Sequence, residues 1–89
     1  MYTVVFTRDA QKDVVELCRR SPKAFRKLTK LLDELREHPR TGTGQVEQLK
    51  FCSAETWSRR LDREHRLVYE IRDAEVIVLV LSAFGHYTD

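Results

Sequence analysis

The sequence predicts an α+β domain in which a two-helix hairpin packs on a mostly antiparallel sheet of four to five strands. Three observations predict it. Helical periodicity is confined to the chain before residue 40, and the rest of the chain shows alternation and short apolar runs. With only 89 residues the chain can bury one modest core. We therefore expect a single domain over residues 1–89.

The first half of the chain is expected to form one strand and two helices. Alternation over residues 2–6 predicts a short strand, and Thr7 can cap the helix that follows. Ser21 followed by Pro22 is a good start signal for a second helix. That helix should end at His38, because a residue that precedes proline is pushed out of the helical region. The apolar face of the first helix is expected to comprise Ala10, Val14, Leu17 and Cys18.

The region after residue 40 is expected to form the remaining strands. Gly42 and Gly44 mark a flexible loop before it, and Asp73-Ala74 is a turn candidate near its end. The continuous apolar run that follows this turn suits a strand covered on both faces. The expected strands are residues 46–51, 57–62, 66–71 and 76–81.

Composition and cysteine spacing exclude several classes of protein. The longest apolar run, residues 76–81, is far too short to span a bilayer, and the N-terminus has no basic leader, so we expect a cytoplasmic protein. Cys18 and Cys52 have neither C-x-x-C spacing nor a histidine at metal-ligand spacing. We expect no zinc site and no redox pair, and each cysteine should be a small buried or half-buried residue.

Chemically active side chains lie mostly in the second half of the chain. His86 and Tyr87 supply an imidazole and a phenol, Glu47 supplies an isolated carboxylate, and two strands are rich in arginine. A carboxylate base, an imidazole acid and fixed guanidinium groups are what cleavage of an RNA phosphodiester without a metal requires. The net charge of +2 by itself argues only weakly for a nucleic-acid partner.

Four short motifs follow one another in this half of the chain. They are GTGQVEQLK from Gly42, WSRRL from Trp57, EHRLVY from Glu64 and GHY from Gly85. In this order they resemble the YoeB/Txe family of toxin-antitoxin ribonucleases, within the wider group of RelE-like toxins. The likeness is strong from Gly42 to Tyr87, and before Gly42 it depends on the order and lengths of the elements. It implies the RelE-like, microbial ribonuclease-like fold.

The resemblance also implies an activity and the residues that carry it. It implies a bacterial endoribonuclease that cuts mRNA in the ribosomal A site without a metal or cofactor and so inhibits translation. On the matching positions, Glu47 is the general base, His86 the general acid and Arg66 the clamp on the transition state. Tyr87 positions the substrate. The expected products are a 2′,3′-cyclic phosphate and a 5′-hydroxyl.

The partners implied by the resemblance are RNA and an antitoxin. Lys50 and Arg60 would hold phosphate or rRNA. Arg59 and Arg60 must point to opposite faces of any strand, and we choose Arg60 for the site. A YefM-like antitoxin would silence the toxin in a heterotrimer or heterotetramer, and a homodimer is also expected. Operator DNA would be contacted only through the antitoxin.

The sequence departs from the commoner family pattern in three places, beside the glutamate, at Phe84, and at Thr88-Asp89, which extend past the usual tyrosine end. Val46 and Gln48 stand where prolines often flank the glutamate, which could loosen the placement of Glu47. Phe84 occupies a position that is often basic, which removes a possible RNA contact.

Two other classes of function stay open. One is a ParE-like toxin that binds a topoisomerase without chemistry, and the other is a nucleic-acid-binding module without turnover. The joint presence of Glu47, Arg66 and His86-Tyr87 favours the nuclease, because a pure binder needs no acid–base pair. Each residue also has a structural interpretation, with Glu47 as a solvated surface acid and Arg66 as the cross-strand partner of Glu64 or Glu70.

Overall fold

Two helices pack on one face of a five-stranded mixed sheet in the computed structural model, which describes residues 1–85. The sheet order is β1-β5-β4-β3-β2, with β1 parallel to β5 and the other pairs antiparallel. This confirms the predicted fold class. The elements are β1 (Thr3–Phe6), α1 (Arg8–Arg20), α2 (Pro22–Glu37), β2 (Glu47–Leu49), β3 (Thr56–Arg60), β4 (Arg66–Arg72), a 3₁₀ turn (Asp73–Glu75) and β5 (Ile77–Ser82).

The helix ends form as the sequence predicts. The Thr7 side chain accepts a hydrogen bond from the Ala10 N–H at 3.0 Å, and the Ser21 side chain accepts one from the Ala24 N–H at 3.3 Å. Each bond satisfies an amide that the first turn of a helix leaves without a partner. The helix α2 ends at Glu37, immediately before His38. No helix within residues 1–85 is long and apolar enough to cross a membrane.

The core lies between the helices and the sheet. Alternate residues of the central strands β4 and β5 point into it, and the buried faces of both helices cover them. The helices contribute Ala10, Leu17, Ala24, Leu28, Leu31 and Leu35, and the sheet contributes Leu67, Tyr69, Ile71, Val78 and Val80.

Two local expectations were wrong. The strand expected over residues 46–51 is shorter, because the chain turns after Leu49 and leaves Phe51 87% exposed. Cys18 was expected on the apolar face of α1 but is exposed. One residue of a helix covers 100° of rotation, so Cys18 turns away from the stripe that Leu17 occupies.

The buried guanidinium group of Arg59 connects the loop after α2 to strand β3 through hydrogen bonds. The side chain is 0% exposed, and its five N–H donors make five hydrogen bonds. Its carboxylate partner is Glu34 at 2.8 Å. The other acceptors are the Tyr69 hydroxyl and the carbonyls of His38, Thr41 and Thr43.

Gly42 is required by this packing. Its φ is +131°, and a Cβ added there would lie 2.4 Å from Glu34 Oε1 and 2.9 Å from Arg59 Nη1. A side chain at this position would therefore displace the Glu34–Arg59 pair in addition to straining the backbone.

We expect Arg59→Met to destabilise the fold by about 3 kcal/mol or more, because it leaves several buried acceptors without a donor. Arg60→Met is the matched control in the same strand and should change the free energy of unfolding by about 0.5 kcal/mol or less. Urea unfolding followed by circular dichroism measures both variants. Equal effects at the two positions would contradict the assigned role of Arg59.

Glu34 should also make stability depend on pH. The Thr43 backbone N–H, followed by the Thr43 hydroxyl and Arg59, holds the pKa of Glu34 below its usual range, although burial opposes this. Because the folded-state pKa is lowered, the stabilisation is present above about pH 4.3, the value of an unfolded glutamate, and is lost as the pH falls through the folded value. The stability difference between wild type and Glu34→Gln should therefore shrink from pH 7 to pH 3. A constant difference would contradict this.

Candidate functional site

Three of the predicted site residues meet at one end of the sheet, on the face that carries no helix. Glu47 begins β2, Arg60 ends β3 and Arg66 begins β4. Glu47 pairs with Ser58, two residues before Arg60, and Arg60 pairs with Arg66. Side chains two residues apart along a strand share a face, and paired residues share it too. Glu47 and Arg60 are therefore diagonal neighbours, within reach of one another's long side chains.

The two arginines face each other as like charges. Directly opposed residues of an antiparallel pair have Cβ atoms about 4.5–5.5 Å apart, and like charges there are destabilising. Within residues 1–85, the side chains of Glu47, Lys50, Arg60 and Arg66 make no hydrogen bond or ion pair. The sequence-based alternative that Arg66 pairs with a strand glutamate is therefore wrong for Glu70, which pairs with Arg72 instead.

Two buried side chains lie on the sheet between these charged groups. Ser58 and Val68 pair across β3 and β4 and are each 1% exposed. Among the described residues, the Ser58 hydroxyl is the single buried side-chain polar atom without a hydrogen-bond partner. Sequence reasoning gave Ser58 no role, because a serine in an alternating strand carries no signal of its own.

The chain after β5 is held beside Arg66. The Ala83 N–H donates to Asp13 Oδ2 at 3.1 Å, and the Arg66 N–H donates to the Gly85 carbonyl at 3.0 Å. The Gly85 N–H donates to His65 Nδ1 at 2.9 Å. His86 and Tyr87, the predicted acid and substrate-positioning residue, lie outside the described residues.

Lys50 lies away from this group. It follows β2 at the end opposite to Glu47, and it is exposed. Three strand positions separate the two residues, a distance of about 10 Å at the rise of a β-strand. Lys50 is therefore placed to meet a more distant part of a long ligand than the part that meets Glu47.

A basic groove lies on a different surface, between α2 and the turn that joins β3 to β4. Its volume is about 740 Å³. Two acids, Glu34 and Asp62, and five bases line it, the bases being Lys23, Arg26, Lys27, Lys30 and Arg63. The groove suits an acidic ligand by its charge, but it lies apart from Glu47 and Arg66 and includes neither.

The end of the sheet combines groups that can act on a phosphodiester. Glu47 is an exposed carboxylate able to accept a proton, and two half-buried guanidinium groups can bind phosphate oxygens through their planar forks. Residues 1–85 contain no group of three or more His, Cys, Asp or Glu side chains able to hold a metal ion.

Comparison with known proteins identifies relatives over the full fold. The Toxin RelK of Mycobacterium tuberculosis is 39% identical over 87 residues, which cover 98% of this chain and 100% of that protein. A YoeB/ParE toxin from Agrobacterium tumefaciens has a TM-score of 0.86 at 30% identity, covering 98% of this chain and 100% of the other.

Two structures from Staphylococcus aureus show relatives in assemblies. A YoeB dimer has a TM-score of 0.80 at 30% identity and covers 97% of this chain and 98% of the other. A heterotetrameric YoeB-YefM toxin-antitoxin complex has a TM-score of 0.80 at 28% identity and covers 98% of this chain and 99% of the toxin chain.

The family model for the YoeB-like toxin of bacterial type II toxin-antitoxin systems matches residues 6–87, nearly the whole chain. With the five-stranded sheet, the cluster at its end and the relatives above, this match shows that the chain belongs to the family of YoeB-like toxins.

Proposed function

We propose that this toxin is a ribosome-dependent mRNA endoribonuclease that acts in the cytoplasm as a single domain. The observation that carries the proposal is the opposed pair Arg60 and Arg66 beside Glu47, three charged side chains without a partner among residues 1–85. Two opposed guanidinium groups cost stability unless an anion neutralises them. A phosphate of the RNA backbone is an anion of matching geometry.

In the proposed reaction, Glu47 removes the proton from the ribose 2′-hydroxyl. The 2′-oxygen then attacks phosphorus, and the bond from phosphorus to the 5′-oxygen breaks. His86 gives its proton to that leaving oxygen, so the products are a 2′,3′-cyclic phosphate and a 5′-hydroxyl. Arg66 and Arg60 stabilise the extra negative charge on the phosphoryl oxygens, and Tyr87 orients the substrate.

The division of roles agrees with the chemistry of each group. An imidazole with an unperturbed pKa near 6.5 can donate a proton at neutral pH, and an ionised carboxylate can accept one. The guanidinium charge does not titrate near neutral pH, so the clamp stays charged throughout the reaction. No step of this scheme needs a metal ion.

We expect Glu47→Gln and His86→Gln each to lower the rate of mRNA cleavage by about 10²- to 10⁴-fold, because each removes one proton-transfer group. Arg66→Gln should lower it by about 10²- to 10³-fold, as loss of a charge-stabilising donor does. A purified translation system, with cut sites mapped by primer extension and the end groups identified, measures this. Glu37→Gln, at an exposed glutamate of α2, is the matched control and should cut like wild type.

Other results would direct the search elsewhere. Cuts that leave a 3′-hydroxyl, or a strict requirement for magnesium, would contradict the mechanism. If translation stops without any cut, or if the cell's topoisomerases are poisoned while mRNA stays intact, the protein is a binding toxin and not a nuclease.

We further propose that a YefM-like antitoxin silences this toxin, in an assembly such as a heterotrimer or heterotetramer, and that the free toxin forms a homodimer. The relatives in the two Staphylococcus aureus structures support the proposal, as does the basic groove along α2. An acidic segment that is disordered before binding can wrap a toxin of this size and neutralise the bases of the groove.

Reversing two charges of the groove should weaken antitoxin binding. We expect Lys27→Glu combined with Lys30→Glu to lower the affinity by about 10- to 100-fold at low salt, and the loss should shrink as salt screens the charges. Lys12→Glu on α1 is the control for a change of charge elsewhere. Isothermal titration calorimetry measures the affinity of the antitoxin for wild type, for the double variant and for the control. Unchanged affinity of the double variant would place the antitoxin on another surface.

A further inference from the structure

His65 is a buried histidine in the turn between β3 and β4, and neither the proposed RNA cleavage nor the proposed antitoxin binding uses its side chain. It is 8% exposed, and its ring stacks on Phe84 with centroids 4.5 Å apart and an angle of 26° between the planes. Phe84 belongs to the segment that follows β5. The ring therefore joins the turn before β4 to the chain that leads to His86.

A hydrogen bond between His65 and Gly85 accompanies the stacking on Phe84. His65 Nδ1 lies 2.9 Å from the Gly85 amide nitrogen, which can only donate, so Nδ1 must be the acceptor. The neutral ring consequently carries its proton on Nε2. On the other side of Gly85, the carbonyl accepts from the Arg66 N–H at 3.0 Å. Both backbone polar groups of Gly85 are thus bound by two adjacent residues, His65 and Arg66.

The turn itself holds the His65 backbone in place. The His65 N–H donates to Asp62 Oδ1 at 2.7 Å, and the His65 carbonyl accepts from the Leu61 N–H at 2.9 Å. Leu61 is buried in the core, so the backbone that carries the imidazole is held in place. Gly85 has a φ of +86°, a conformation that favours glycine, and among residues 1–85 no atom beyond its chain neighbours lies within 4 Å of where a Cβ would be. Within the part of the chain that the structure describes, glycine is therefore favoured at this position by its backbone conformation and not by close packing.

We propose that His65 is a positioning residue that holds Gly85 beside Arg66 and thereby serves His86, the next residue in the sequence. The two hydrogen bonds hold the N–H and the carbonyl of Gly85, so they restrain the backbone at the residue that precedes His86 in the sequence. One of these two bonds comes from Arg66, the proposed clamp. The catalytic part of this inference rests on the proposed function, in which His86 is the acid. A displacement of about 1 Å in such a group can cost about 10²-fold in rate.

Two substitutions separate the hydrogen bond from the ring. His65→Phe keeps a ring that can stack on Phe84 but removes the acceptor. His65→Asn keeps an acceptor, because Oδ1 is attached to Cγ as Nδ1 is in histidine, but it removes the ring. His38→Asn, at an exposed histidine, is the matched control.

We expect His65→Phe to lower the cleavage rate at saturating ribosome concentration by about 10- to 100-fold, with the half-saturating ribosome concentration changed by less than about threefold. His65→Asn should recover part of the lost rate, and His38→Asn should cut like wild type. Rates are compared per folded molecule, from thermal melts of each variant. Wild-type cleavage by His65→Phe, or a loss explained entirely by unfolding, would overturn the proposal.

A second measurement does not depend on activity. In ¹⁵N-labelled protein, the Gly85 amide proton should exchange slowly with solvent, and His65 should show the spectrum of the ring protonated on Nε2. Exchange at Gly85 should be fast in folded His65→Phe. If wild type cuts no RNA, the proposed function fails, and the Gly85 exchange alone then decides whether His65 holds this segment. Fast Gly85 exchange in folded wild type overturns the inference whatever the activity.

Discussion

The guanidinium of Arg59 is the interaction on which the placement of the site depends. Residues 38–46 form neither helix nor strand, so most of their backbone carbonyls need partners from elsewhere. Arg59 supplies donors to three of them while its charge is balanced by Glu34. One residue later, the Arg60 N–H donates to the Gly44 carbonyl at 2.6 Å. Strand β3 thus holds in place the loop that immediately precedes Glu47, the first residue of β2.

The charged residues of this protein divide into two groups with different consequences. Arg40 belongs to the first group, because it binds Glu55 through two hydrogen bonds of 2.7 and 2.9 Å and also contacts Asp73. The hydrogen bonds from Arg40, more than any other cause, lower the pKa of Glu55. The charges at the end of the sheet form the second group and have no such partner within residues 1–85. Charges that a fold leaves unbalanced in one place are typical of a ligand site.

Local signals in the sequence were sufficient for the helices and the fold class, and contacts between distant residues account for what they missed. The caps at Thr7 and Ser21 depend on atoms three residues away. Alternation was enough to place Arg59 and Arg60 on opposite faces of β3, with Arg59 buried and Arg60 half-buried. The opposition of Arg60 and Arg66 depends on strand register, which the turn sets. The contact between His65 and Gly85 spans 20 residues and leaves no periodic trace in the sequence.

The adjacency of Arg59 and Arg60 affects how losses of toxicity in living cells should be interpreted. On the destabilisation expected for loss of Arg59, a copy without this residue is depleted by unfolding and therefore occupies no antitoxin. A copy that has lost Arg60 stays folded and, on the proposed function, still occupies antitoxin without cutting RNA. In a cell that carries both an altered and an intact copy, loss of Arg59 therefore leaves the activity of the intact toxin unchanged. Loss of Arg60 gives a folded protein that draws antitoxin away from the intact toxin, so the activity of the intact toxin increases.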